Sequence, residues 1–165
     1  THLGHSFPTR RSSDLFNDVV GDRTVEQGYK TSKEIIGDKY VDGIGGGVCQ
    51  VSTTLYNAIL RANLKSVERY RHTKRSSYVG SGLDATVAYD SLDYRFKNTF
   101  SYPIYIESAV YNKNVEFSIY SNSILNNKTY DIVNEVIGNN VSVSRITYEH
   151  GNRLSKTLLY TDPIT

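Results

Sequence analysis

The sequence contains a single cysteine, Cys49, among its 165 residues. One cysteine excludes a disulfide within the chain and every zinc site that is built from several cysteines. The four histidines leave a mixed-ligand metal site open, but their spacing supports none. We therefore predict no metal and no other cofactor.

The sequence also lacks a long apolar run and an excess of charge of one sign. No apolar stretch approaches the roughly 18 residues of a membrane span, and the mean hydropathy is −0.44. Nineteen lysines and arginines stand against 17 acidic residues, a net charge of +2. This balance predicts no nucleic-acid partner, and the length suits one domain with its own core.

Tryptophan is absent and prolines number only three, whereas tyrosines number 14. This aromatic composition favours a β-rich protein with half-buried strand faces. Tyrosine rings on such strands can also stack on sugars. A non-catalytic binding module that uses these strands is therefore one candidate function.

The first 15 residues show neither helical nor strand periodicity. The string FPTRRSSDL within them resembles a translated sequencing adaptor. We expect residues 1–15 to be a non-native tail, with the natural N-terminus and any signal or anchor missing, and we exclude them from the fold. This exclusion leaves His72 and His150 as the histidines available for chemistry.

The clearest predicted element is a helix that starts near Cys49 and stops near Asn63. It follows a glycine-rich loop over residues 43–47. One face of the helix carries an apolar stripe formed by Val51, Leu55, Ala58, Ile59 and Ala62. Cys49 lies off this stripe, on a face that also carries Ser52, Thr53, Tyr56 and Leu60.

The remaining patterns predict strands and turns. Hairpins are expected over residues 34–41 around Gly37-Asp38, over 104–120, and over 141–160. Further strands are expected at the start of the basic segment 65–75 and at 86–89 and 92–96, with a loop-rich approach over 16–28 and a linker over 121–129. We predict an α+β fold in which one main helix packs on a mostly antiparallel sheet. Residues 16–120 form its domain, and residues 121–165 form a linker and a β-hairpin extension.

The segment GGGVCQVSTTLYNA at residues 45–58 resembles the core motif of the VanW family. The resemblance continues, in order, through RHT, SYV, DATVAY, SLD, FKN and YPIYIE between residues 71 and 107, and it covers residues 16–120. It implies an extracytoplasmic accessory protein of the Gram-positive cell envelope that acts near peptidoglycan. An association with glycopeptide resistance and a wall peptide or glycan as partner are also implied; the family's molecular activity is not established.

Cys49 is also a candidate nucleophile. A cysteine at a helix N-terminus has a lowered pKa, and the preceding glycines let a substrate backbone approach. The order of glycine loop, cysteine, helix and histidine is similar to that of papain-like, transglutaminase-like and NlpC-type folds. We predict Cys49 as nucleophile, His72 as base, and Asp84 or Asp93 as the residue that orients the base.

This arrangement would make a transacylase or peptidase that acts on wall peptides. The alternative is a buried structural cysteine. Residues predicted to contribute to binding are Gly46, Gly47, Gln50, Ser52, Asn57 and Arg95.

Overall fold

The computed structural model describes residues 2–7, 13–36 and 39–164. Its two α-helices are α1 (Phe16–Val20) and α2 (Val48–Arg61), and a 3-10 helix covers Ser123–Asn127. Its strands are β1 (His2–Phe7), β2 (Ser13–Leu15), β3 (Thr31–Ile36), β4 (Lys39–Ile44), β5 (Lys65–Glu68), β6 (Arg95–Lys97), β7 (Ile104–Tyr111), β8 (Asn114–Tyr120), β9 (Lys128–Ile137), β10 (Asn140–Glu149) and β11 (Asn152–Pro163).

The strands form four small sheets with the orders β1-β7-β8, β2-β6-β5, β3-β4 and β11-β10-β9. Their pairings are antiparallel, as predicted, and the fold is mixed α and β. The expectation of one helix packed on one sheet needs correction. Helix α2 contacts β5, β8 and β9, which belong to three different sheets, so it is the shared centre of the molecule.

Helix α2 has the boundaries that the sequence predicts. Gly47 precedes it with a φ of +102°, a left-handed conformation that glycine adopts without strain. Asn63 follows its last turn with a φ of +59°, and asparagine tolerates this conformation better than most residues. The glycine-rich loop therefore delivers Cys49 into the first turn of the helix.

The buried face of α2 is broader than predicted. Leu55 and Ile59 of the predicted stripe are buried, but Val51, Ala58 and Ala62 are only partly so. The neighbouring face is as deeply buried, although it carries hydroxyls: Ser52, Thr53, Tyr56 and Leu60. The carbonyl of Ala85 accepts from the hydroxyls of Ser52 and Thr53, and the hydroxyl of Tyr56 donates to that of Tyr160, which offsets the cost of burying them.

Several local predictions are confirmed. The strands on either side of Gly37-Asp38 pair as β3 and β4, although the turn itself lies outside the described residues. Strands β7 and β8 form the predicted hairpin, β10 and β11 form another, and β5 begins the basic segment.

The predicted strand at residues 86–89 is wrong, because only isolated bridges join Tyr70 to Thr86 and Ala88 to Leu92. The strand predicted at 92–96 reduces to β6, which starts at Arg95. The approach over residues 16–28 contains the short helix α1. In both regions a backbone carbonyl accepts from a helix side chain, Leu92 from Asn17 of α1 and Val87 from Cys49 of α2, which competes with sheet pairing.

The two ends of the chain also differ from the expectation. The backbones of β1 and β2 pair with β7 and β6, so the segment excluded from the fold contributes strands. At the other end, β9 joins the predicted hairpin and makes a three-stranded sheet. The domain boundaries and the non-native origin of residues 1–15 stay predictions. No helix in the described part of the chain is long and apolar enough to cross a membrane.

Candidate active site

Cys49 occupies the first turn of α2 and is partly buried. Its Sγ lies 3.4 Å from Oγ1 of Thr86, and its thiol donates to the carbonyl of Val87 at 3.3 Å. His72 lines the same cleft and lowers the pKa of the thiol. The only cysteine in the sequence therefore faces the segment that follows Asp84, and it is not simply packed among apolar groups.

His72 is a buried side chain, with 5% of its surface exposed. Its Nδ1 lies 2.7 Å from Oδ2 of Asp84, and its backbone N–H donates to the same oxygen at 2.7 Å. Because Asp84 occupies Nδ1, Nε2 is the nitrogen available to the Cys49 thiol. Asp84 thus orients the imidazole in the way that a nucleophile and base pair requires.

Arg69 binds Asp84 through Oδ1, the carboxylate oxygen that does not contact His72. The guanidinium donates to Oδ1 of Asp84 at 2.9 Å and to its backbone carbonyl at 2.6 Å. Arg69 also pairs with Asp162 of β11 and donates to the carbonyl of Gly82 at 3.1 Å. The orienting carboxylate is therefore fixed by a side chain from the basic segment, which the sequence analysis did not single out.

These contacts favour a charged pair at the centre of the site. Burial raises the pKa of the Cys49 thiol, but hydrogen bonds with His72 and Thr86 and the charge of His72 outweigh it, and the net pKa is lowered. Burial lowers the pKa of His72, yet hydrogen bonds with Asp84 and Cys49 raise it to about 9. Both shifts favour a thiolate beside an imidazolium over the neutral pair.

Three polar side chains of α2 position the chain around Asp84. Ser52 donates to the carbonyl of Ala85 at 2.6 Å, and Thr53 accepts from the Ala85 amide at 3.0 Å. Asn57 donates to the carbonyl of Leu83 at 2.8 Å. Ser52 and Asn57, predicted as binding residues, make these scaffold contacts and do not line the cleft at Cys49.

The other predicted residues divide between this site and a separate place. Gly46, Gly47 and Gln50 line the same cleft as Cys49 and His72. Asp93 is directed elsewhere, because its Oδ1 accepts from the backbone amide of Asn17 in α1 and from that of the adjacent Tyr94. Arg95 lies beside Asp93 at a different cavity, 3.9 Å from a carboxylate oxygen of Glu68.

The cleft at Cys49 has a volume of about 710 Å³. The glycine-rich loop and the β3-β4 hairpin form part of its walls. A Cβ at Gly46 would lie 2.6 Å from the Cβ of Ser32, so only glycine permits this close approach. The described residues contain no group of three or more His, Cys, Asp and Glu side chains arranged for a metal ion.

Tyr78 adds a neutral donor to the cleft. Its hydroxyl lies 3.4 Å from Nε2 of His72. Burial and the nearby charges of Cys49 and Asp84 raise the pKa of Tyr78 to about 12, although hydrogen bonds with Thr53 and Ser76 oppose this. The phenol therefore keeps its proton when the neighbouring thiol is ionised. The segment SYV at residues 77–79 carries it, but its sequence does not indicate this position.

Comparison with known proteins supports the resemblance. Residues 13–120 match the family model described as VanW like protein. The chain is also 43% identical over 122 residues to the uncharacterized protein YoaR of Bacillus subtilis (strain 168). This alignment covers 74% of the chain and 40% of YoaR, so the chain spans less than half of that relative. No solved structure matches the chain. The chain belongs to the VanW-like protein family.

Proposed function

We propose that this domain is a cysteine-dependent acyl-transfer enzyme, a transacylase or a peptidase. Cys49 is its nucleophile, His72 its general base and acid, and Asp84 the residue that orients His72. One observation carries the proposal: the His72 ring is hydrogen-bonded to Asp84 and shares a cleft of about 710 Å³ with the Cys49 thiol, whose pKa it lowers. A structural cysteine would need neither the oriented imidazole nor the cleft.

The arrangement supports a two-step reaction. In the first step, the Cys49 thiolate attacks the carbonyl carbon of an amide, and His72 gives its proton to the departing amine. A thioester between Cys49 and the acyl group remains. In the second step, water or a second amine attacks the thioester, His72 takes up the proton, and the Cys49 thiolate leaves. Water as acceptor gives a peptidase, and an amine gives a transacylase.

The setting that we propose is the cell envelope, with wall peptides as substrates. This part of the proposal rests on the family resemblance, since members are typically exported or anchored near peptidoglycan. An accessory role in glycopeptide resistance belongs to the same expectation. Growth of a deletion strain on vancomycin, with and without complementation by a Cys49→Ala variant, would test that role separately from the chemistry.

The pH dependence of Cys49 alkylation by iodoacetamide tests the enzyme proposal. We expect an apparent thiolate pKa clearly below the value of about 8.5 for a free cysteine. In His72→Ala that pKa should rise, because the variant removes both the hydrogen bond and the positive charge that stabilise the thiolate. His150→Ala is the control, since this histidine lies in the turn between β10 and β11.

An unreactive Cys49, or one whose alkylation ignores the loss of His72, would contradict the proposal. A non-catalytic wall-binding module would then be the better account. That second candidate has its own observation, because the rings of Tyr105 and Tyr120 lie 6.2 Å apart beside a groove of about 370 Å³. Both rings are more than one-third exposed, as sugar-stacking rings must be.

A further inference from the structure

Three guanidinium nitrogens in the described residues are buried without a hydrogen-bond partner: Nη1 of Arg23, Nη1 of Arg71 and Nε of Arg95. Arg95 lies beside the carboxylate of Glu68. Arg71 borders a cavity of about 20 Å³, which has room for little more than one water molecule. Arg23 differs from both, because it lines the cleft that contains Cys49.

The Arg23 side chain is held in place by uncharged groups. A Cβ at Gly45 would lie 2.9 Å from both Cβ and Cγ of Arg23, so the stem of the side chain lies against the glycine-rich loop. The guanidinium lies over the ring of Tyr89, with Cζ 5.4 Å from the ring centroid. Its Nη2 donates to Oδ1 of Asn17. The planar group is therefore fixed before any ligand binds, which lowers the entropic cost of binding.

The positive charge of Arg23 has no carboxylate partner among the described residues. The neighbouring Asp22 accepts from the backbone amide of Arg23 at 2.7 Å and makes no ion pair with its guanidinium. Lys33, a second cation in the cleft, is paired with Asp42 at 2.8 Å. A buried donor without a partner is costly, so the unpaired Nη1 favours an acceptor supplied by a ligand.

We propose that Arg23 binds a free carboxylate of the peptide substrate. A fixed guanidinium offers two parallel N–H donors that match the two oxygens of a carboxylate. The inference deepens the proposed function, on which it rests, because it assigns a negatively charged end to the peptide that meets Cys49. The guanidinium of Arg23 contacts Tyr89 and Asn17, which are uncharged, so its positive charge is not neutralised and can pair with a ligand carboxylate.

The test uses the full chain with the substitution Cys49→Ala, so that no reaction occurs. Two probes are compared by NMR titration at low salt: N-acetyl-alanyl-alanine, which has a free carboxylate, and its carboxamide. We expect the carboxylate to bind about tenfold more tightly, as one charge-assisted pair provides. Adding Arg23→Met should abolish this preference, whereas adding Lys33→Met should preserve it. Arg23→Lys should keep part of it, because it retains the charge but not the planar donors.

Equal binding of the two probes would overturn the inference, and so would a preference that survives Arg23→Met in a folded variant. Failure of the carboxylate probe to bind in a saturable way also counts against it. If Arg23→Met does not fold, Arg23→Lys decides: an undiminished preference overturns the inference. The titration uses a chain without Cys49, whereas the enzyme proposal is tested by alkylation of Cys49. The carboxylate preference can therefore be absent while the alkylation test still succeeds, and the two failures are distinguishable.

Discussion

The Asp84 carboxylate interacts with both positively charged side chains behind Cys49, those of His72 and Arg69. Burial raises its pKa, but hydrogen bonds from the ring and the backbone of His72, together with the charge of Arg69, lower it below its ordinary value. The carboxylate stays ionised at neutral pH and stabilises the proton on the His72 ring. Oδ1 of Asp93, the other carboxylate that the sequence offers for this role, accepts instead from the backbone amides of Asn17 in α1 and of Tyr94.

Asp84→Asn separates these two carboxylates experimentally. Without the negative charge, the pKa of His72 should fall from about 9 toward 6.5, so its proton is lost at lower pH. The imidazolium that stabilises the thiolate is then less populated at pH 7 to 8, and Cys49 alkylation should slow there. NMR titration of the His72 ring and alkylation rates measure both effects. Asp93→Asn is the matched control, and an equal response of the two variants would contradict the assignment.

At the scale of one element, α2 has both a structural and a chemical face. Leu55 and Ile59 bury apolar surface in the core, while Ser52 and Thr53 hold the chain at Ala85 by hydrogen bonds. The first turn of the helix carries Cys49 into the cleft. Stability of the helix and geometry of the site therefore depend on the same 14 residues.

Leu55→Ala should lower the free energy of unfolding by about 2–5 kcal/mol, because it removes a buried side chain and leaves a cavity. Arg61→Ala, at an exposed position near the end of α2, should change it by less than about 0.5 kcal/mol. Urea denaturation of both variants measures the difference. A Leu55→Ala variant as stable as Arg61→Ala would show that the core does not depend on this face of the helix.

At the scale of the whole molecule, the C-terminal sheet supports the candidate site. Asp162 of β11 pairs with Arg69, which holds Asp84, and the hydroxyl of Tyr160 donates to the carbonyl of Gly82 at 2.6 Å. The family match ends at residue 120, before this sheet begins. Residues 128–163 therefore act on the site although they lie beyond the matched segment.

Asp162→Asn should slow Cys49 alkylation at neutral pH, by less than Asp84→Asn does, because Arg69 keeps its contacts with Asp84. Loss of the pairing charge should also reduce the free energy of unfolding by roughly 1–3 kcal/mol. Glu135→Gln is the matched control, since Glu135 pairs with Lys156 at 2.7 Å on the exposed part of the same sheet. If both variants alkylate at the wild-type rate, the sheet does not support the site.

Local patterns in the sequence were enough to predict several parts of the molecule. The α2 boundaries, the hairpins and the start of β5 follow from side-chain periodicity and from residues that favour turns or caps, which act over a few neighbouring positions. The motif resemblance gave the family. The order of Cys49, His72 and Asp84 along the chain also gave three candidate residues, although it left Asp93 as an equal alternative.

Only the tertiary structure decided which of these residues meet. Asp84 contacts His72 and Asp93 does not, because bonds from Ser52, Thr53 and Asn57 fix the irregular chain around Asp84 on α2. Such side-chain bonds to a distant backbone have no period in the sequence, so the local pattern at residues 86–89 indicates a strand where the structure has only isolated bridges. The roles of Arg69 and Asp162 join positions 93 residues apart, and no local pattern encodes a contact of that separation.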